Sequence, residues 1–234
     1  MKNNKKIFFI SLCAMFFIAE AILGYYVQVS GGAKVLMFQY TSVALACAFC
    51  LIFAEKSYAY VFTQLGLIFT LGADYFLVHL QPQNKLGGMI FFSFAQIAYF
   101  VKIYLDDENK LRKRVHLILR AVLSTVAVIA TFSVLGQNAD LVAVVSVFYY
   151  ANLILNLVFS FILFKKAPFM AIGFLCFILC DTVIGLVNMK PYLPLPDGSF
   201  VHKILNPGFD PAWAFYVPSQ ALLATSLIHK KIDA

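Results

Sequence analysis

Charge is what this chain has least of. Among 234 residues there are 18 Lys or Arg and 11 Asp or Glu, so 12% are charged while 62% are hydrophobic. A soluble domain of this length has too much surface to be so poor in charge, and that excludes the class. Long hydrophilic stretches are also missing, which leaves no room for a soluble appendage. No H-E-x-x-H or G-x-S-x-G motif occurs, so the common zinc and serine hydrolase signatures are absent. Cys47 and Cys50 form a lone C-x-x-C, and no second ligand pair follows at metal-site spacing. All five cysteines (Cys13, Cys47, Cys50, Cys176, Cys180) fall inside apolar runs, where a thiol acts as a small hydrophobe.

What fills the chain instead is apolar sequence, with a mean hydropathy of +0.85. Runs of about 20 residues recur, each long enough to cross roughly 30 Å of hydrocarbon. Eight spans are predicted: Ile7–Val27, Val35–Ala54, Tyr58–His79, Leu86–Leu105, Val115–Leu135, Ala139–Phe164, Pro168–Asn188 and Asp210–His229. The expected fold is an all-α, polytopic membrane bundle forming a single integral membrane domain over residues 1–234. The first run contains Glu20 and ends in GYYV without a small-residue cleavage site, so it reads as an uncleaved span rather than a signal peptide.

The net charge of +7 does not point to nucleic acid, because the basic residues occupy the short gaps between spans. Alternate gaps hold Lys2, Lys5, Lys6, Lys56, Lys110, Arg112, Lys113, Arg114, Lys165, Lys166, Lys230 and Lys231, against Lys34, Lys85, Lys190 and Lys203 on the other side. The positive-inside rule then puts both termini in the cytoplasm, which requires an even number of spans. The Pro- and Gly-rich connection Met189–Phe209 reads as an irregular outer loop or a lid. The stretch DDENKLRKR (Asp106–Arg114) reads as a solvated cytoplasmic turn. Lys102 and Arg120, near cytoplasmic helix ends, read as snorkelling structural residues.

Three acids lie more than one turn inside a span, where an ionised group is costly: Glu20, Asp74 and Asp181. With this topology each sits in the outer half, Asp74 about 7 Å and Asp181 about 10 Å below the helix ends. Matching depth suggests one shared cavity. The sixth span carries a polar stripe at helical spacing (Ser146, Tyr149, Asn152, Asn156, Ser160), while Thr63, Thr70 and Asp74 share a face of the third. Gln96 and Tyr99 lie in the fourth span; Trp213, Tyr216 and Gln220 lie in the eighth. Singly, such amides and hydroxyls serve interhelical hydrogen bonding. Two buried carboxylates can divide acid and base roles between them. That pairing suits an acid-initiated hydrolysis without metal or cofactor, and equally a proton-coupled transporter or binding protein for a lipid or small solute.

The motifs LGADYFLV, FFSFAQIAYF, AIGFLCFILCDTVIGL and FYVPSQALLATSLI occur in the order found in the lysoplasmalogenase family of YhhN-like membrane proteins, which the chain resembles over most of its length. The resemblance implies a hydrolase that cleaves the vinyl ether of lysoplasmalogens to a fatty aldehyde and glycerophosphoethanolamine or glycerophosphocholine. It implies Asp74 and Asp181 as catalytic residues, and Gln96, Tyr99 and Gln220 as polar residues of the substrate site. Tyr149, Asn152 and Glu20 join the expected substrate-binding set from the polar stripe and the matching depth. Ala73, Cys180 and Gln96 depart from the family pattern, which has glycine, serine and often histidine there. The expected partners are a lysophospholipid and membrane lipids, with no nucleic acid and no obligate protein partner, in a bacterial inner membrane.

Overall fold

The computed structural model describes residues 2–53, 57–189, 199 and 208–227. Its regular elements are all helical: α1 (Lys2–Val29), α2 (Ala33–Phe53), α3 (Tyr58–Asp74), a π-turn (Tyr75–His79), α4 (Lys85–Asp106), α5 (Lys110–Leu135), a 3₁₀ turn (Gly136–Asn138), α6 (Leu141–Ile162), α7 (Pro168–Met189) and α8 (Pro211–Thr225). Among the described residues, seven helical segments are long and apolar enough to cross a membrane. The described part of α8 has 15 residues, about 22 Å, and is shorter than a full crossing.

The helix starts follow local chemistry. Asn84, Asn109, Asp140 and Asp210 are N-caps whose side chains accept backbone N–H bonds from the first turns of α4, α5, α6 and α8. Asn109 moves the beginning of α5 forward to Lys110. The stretch read as a solvated turn is therefore mostly helix, and only Asp107–Asn109 lies between α4 and α5. At the far end of α5, Gly136 takes φ +52°, a conformation that suits glycine, and the chain reverses into α6.

Helices consecutive in the chain and joined by short connections run antiparallel. Glu20 meets Ser42 between α1 and α2, and Phe16 stacks on Phe49. Between α3 and α4, glycines set the separation: a Cβ at Gly66 would come within 2.7 Å of the Tyr99 ring, one at Gly72 within 2.7 Å of Phe91, and one at Gly88 within 2.7 Å of Leu77. Helix α8 lies against α7, α1, α2 and α3, so it closes the bundle. Helix α5 packs chiefly on α6 and exposes Ile118, Val122, Val126 and Ile129. Helix α1 likewise exposes Phe8, Met15, Ile18 and Ile22. Such apolar outer faces are stable only in lipid. Residues 190–198, 200–207 and 228–234 lie outside the described residues, and with them most of the Met189–Phe209 connection and the last part of the eighth predicted span.

Candidate active site

Asp74 is the last α-helical residue of α3, and the chain widens into the π-turn directly after it. The turn is closed by a Leu80 N–H to Tyr75 carbonyl bond of 2.8 Å. Single π-turns interrupt helices frequently at functional sites, because one added residue re-aims the side chains that follow. Phe76 and Leu77 thereby settle on Gly87 and Gly88 of α4, while Asp74 faces the interior, 3% exposed.

Each aspartate is held by one tyrosine from another helix. The Tyr216 hydroxyl of α8 donates to Asp74 Oδ2 at 2.7 Å. The Tyr149 hydroxyl of α6 donates to Asp181 Oδ2 of α7. The two pairs share one aromatic layer: Tyr149 lies 5.4 Å from Phe92, Phe92 lies 5.9 Å from Phe177, and Phe177 lies 5.5 Å from Tyr216 between ring centres. Four helices therefore bring two carboxylates and two phenols to one level of the bundle. This set can donate a proton, accept one, and stabilise a developing cation.

The remaining expected residues are distributed differently. Gln96, Tyr99 and Gln220 are fully buried within one or two turns of this layer, on α4 and α8. Gln220 has no partner for either side-chain atom among the described residues. Tyr99 faces Thr70 and packs edge-on against Phe174 at 5.3 Å. Asn152 turns away from Asp181, to Arg120 and Ser124 of α5. Glu20 accepts from Ser42 at 2.5 Å on the α1–α2 side and borders a separate cavity of about 360 Å³ with Gly24, Trp213 and Val217. A larger cavity of about 790 Å³ lies beyond the aspartates, lined by Val183, Ile184, Val187, Ala212 and Trp213. Trp213 borders both cavities and packs edge-on against Tyr216 at 5.0 Å.

Two features escaped the reading of the sequence. Tyr216 was visible only as a polar residue of the last span; its spacing of four from Gln220 puts both on one face, but nothing local pairs it with Asp74. Arg120 does not snorkel. Its guanidinium turns into the bundle instead, to Asn152 and Asn156 of α6. Lys102 does stay near its own helix end, paired with Asp106 one turn on and 5.0 Å from the Tyr60 ring centre. Of the five cysteines, all free thiols, Cys47, Cys50 and Cys180 are buried and Cys13 and Cys176 partly so.

An apolar helical bundle enclosing two tyrosine-bound aspartates defines an integral, multi-pass membrane protein with a candidate acid–base centre. The chain belongs to the YhhN family, whose sequence model matches residues 33–227, from the first residue of α2 to just past the end of α8. Both aspartates and both tyrosines fall inside the match. Searches of curated proteins and of solved structures give no match.

Proposed function

We propose that the protein is a lysoplasmalogenase-like hydrolase that cleaves the vinyl ether of lysophospholipids with Asp74 and Asp181. Membership of the YhhN family is consistent with this chemistry. The observation that carries the reading is the pairing of the two carboxylates, each on its own tyrosine, in one buried layer. One aspartic acid protonates the alkene carbon of R–CH=CH–O–R′, giving an oxocarbenium ion that the other carboxylate stabilises. Water adds with loss of a proton to a carboxylate, and the hemiacetal collapses to R–CH₂–CHO and HO–R′. One water is consumed, and the proton is returned. The cavity next to Val183 and Trp213 offers a lipid a way in from that end, with the phosphate head group at the interface.

In this reading α8 completes eight spans, both termini face the cytoplasm of a bacterial inner membrane, and the whole chain acts as one domain without a cofactor. The buried carboxylates would also suit proton-coupled movement of a lipid or small solute, and the assay separates the two. Purified protein given lysoplasmalogen should release fatty aldehyde, and Asp74→Asn and Asp181→Asn should each abolish release while the bundle stays folded. Release that survives both substitutions would sink the mechanism. Proton-dependent uptake into vesicles, with no aldehyde formed, would establish the transporter instead.

A further inference from the structure

Arg120 is a cation inside an apolar span, and among the described residues none of the groups it touches is an anion. Its Nη1 donates to Asn152 Oδ1, and its Nη2 donates to Asn156 Oδ1 at 2.7 Å and to His116 Nε2 at 3.1 Å. Its guanidinium carbon stands 4.2 Å from the Phe100 ring centre, a cation–π contact. An intramembrane charge is costly enough that its retention asks for a role.

A guanidinium only donates, and this removes the usual ambiguity in amide orientation. Asn156 must turn its oxygen to Arg120, so its Nδ2 points the other way. There it donates to α4, to the Gln96 backbone carbonyl at 2.9 Å and to Gln96 Oε1 at 2.9 Å. Gln96 in turn has its oxygen occupied, and what it offers is Nε2, a buried donor without a partner among the described residues. One turn earlier on α4, Phe92 packs on Tyr149 and Phe177 in the aspartate layer. An unused donor thus stands one turn along α4 from the aromatic layer that holds the two tyrosines.

We infer that Arg120 is a positioning residue which, through Asn156, holds Gln96 donor-first for a neutral oxygen of the lipid ligand, an ether or hydroxyl. The inference rests on the lipid-hydrolase reading for the class of ligand, but its test does not need turnover. Asn156→Asp is the diagnostic change. The new carboxylate pairs with Arg120, so stability holds or rises, yet it has no N–H to give Gln96. Facing an acceptor, the Gln96 amide turns over and presents its oxygen to the ligand.

Binding of a saturated alkyl-ether lysophosphoethanolamine, which resists hydrolysis, to the detergent-solubilised full chain reads this out. Asn156→Asp and Gln96→Leu should each weaken Kd about tenfold, the worth of one hydrogen bond, and the double variant should be no worse than Gln96→Leu. The Tm of Asn156→Asp should not fall below wild type. If that variant does not fold, Arg120→Lys, which keeps the charge and loses the fork, should weaken binding without adding to Gln96→Leu. Wild-type affinity in Asn156→Asp (or in Arg120→Lys), losses that add in the double variant, or no binding by wild type would overturn the inference. The expected pattern together with no aldehyde from lysoplasmalogen would leave it standing and sink only the hydrolase.

Discussion

Tyr216→Phe removes one oxygen and leaves the ring in place. The phenyl group keeps its contacts with Phe177 at 5.5 Å and Trp213 at 5.0 Å, so packing in the layer is retained. What is lost is the 2.7 Å donation to Asp74 Oδ2. A hydrogen bond to a carboxylate is worth about 1.5–3 kcal/mol, more than a neutral one, and burial leaves no water to replace it. If the bond serves the transition state, kcat/KM for aldehyde release should fall roughly ten- to a hundredfold. Thermal stability should drop by about 1–3 kcal/mol, since one buried partner is left with a bond unmade. The decisive assay is the cycle with Asp74→Asn. With the carboxylate gone, Tyr216→Phe should cost little more, because both changes remove the same interaction. Single-variant activity within twofold of wild type, or full additivity in the double variant, would refute the assignment of Tyr216 to Asp74.

Gly66→Ala should destabilise the bundle by about 1–3 kcal/mol, measured as a fall in Tm, because its Cβ would sit 2.6 Å from Cζ of the fully buried Tyr99 ring; an unchanged Tm would mean that α3 and α4 do not meet there. Asp107, between α4 and α5, accepts from Arg112 and from the Asn109 N–H at 2.9 Å, and the Arg112 guanidinium holds its carboxyl below the ordinary 3.8. A depressed carboxyl stabilises the fold above about pH 4 and loses that contribution as pH falls through its folded-state value. Asp107→Asn should therefore cost about 1–2 kcal/mol at neutral pH, with Arg112 partly exposed, and the gap from wild type should close on acidification. A reporter fused after Ala234 should be active only in the cytoplasm; periplasmic activity would reverse the proposed orientation.

The helices were legible because crossing hydrocarbon imposes a length and a composition that no local accident supplies. Tyr58–His79 reads as one apolar run and is one crossing element, although its last five residues form a π-turn that hydropathy cannot distinguish. The beginning of α5 was misplaced for the opposite reason. Lys110–Arg114 looks like loop chemistry, but charge does not forbid a helix beyond the membrane surface, and Asn109 caps one. Among polar residues, depth could be counted along each helix while azimuth could not be compared between helices. Glu20, Asp74 and Asp181 therefore looked equally deep, yet only the last two are held by tyrosines joined through one run of aromatic rings, while Glu20 pairs with Ser42.

The sequence by itself determined that this is a polytopic helical membrane protein of the YhhN family, and that Asp74 and Asp181 are acids inside apolar spans, where an unpaired charge is costly. Those properties belong to single segments and survive whatever the segments pack against. Which side chains answer the acids was decided only by the tertiary structure. Tyr216 comes to Asp74 from 142 positions away, Tyr149 to Asp181 from 32, and Arg120 turns from the lipid to Asn156. Each pairing depends on how the helices rotate about their own axes. That rotation is set by glycine contacts, a π-turn and the burial of the remaining polar groups together, and none of these can be read along one strand of sequence.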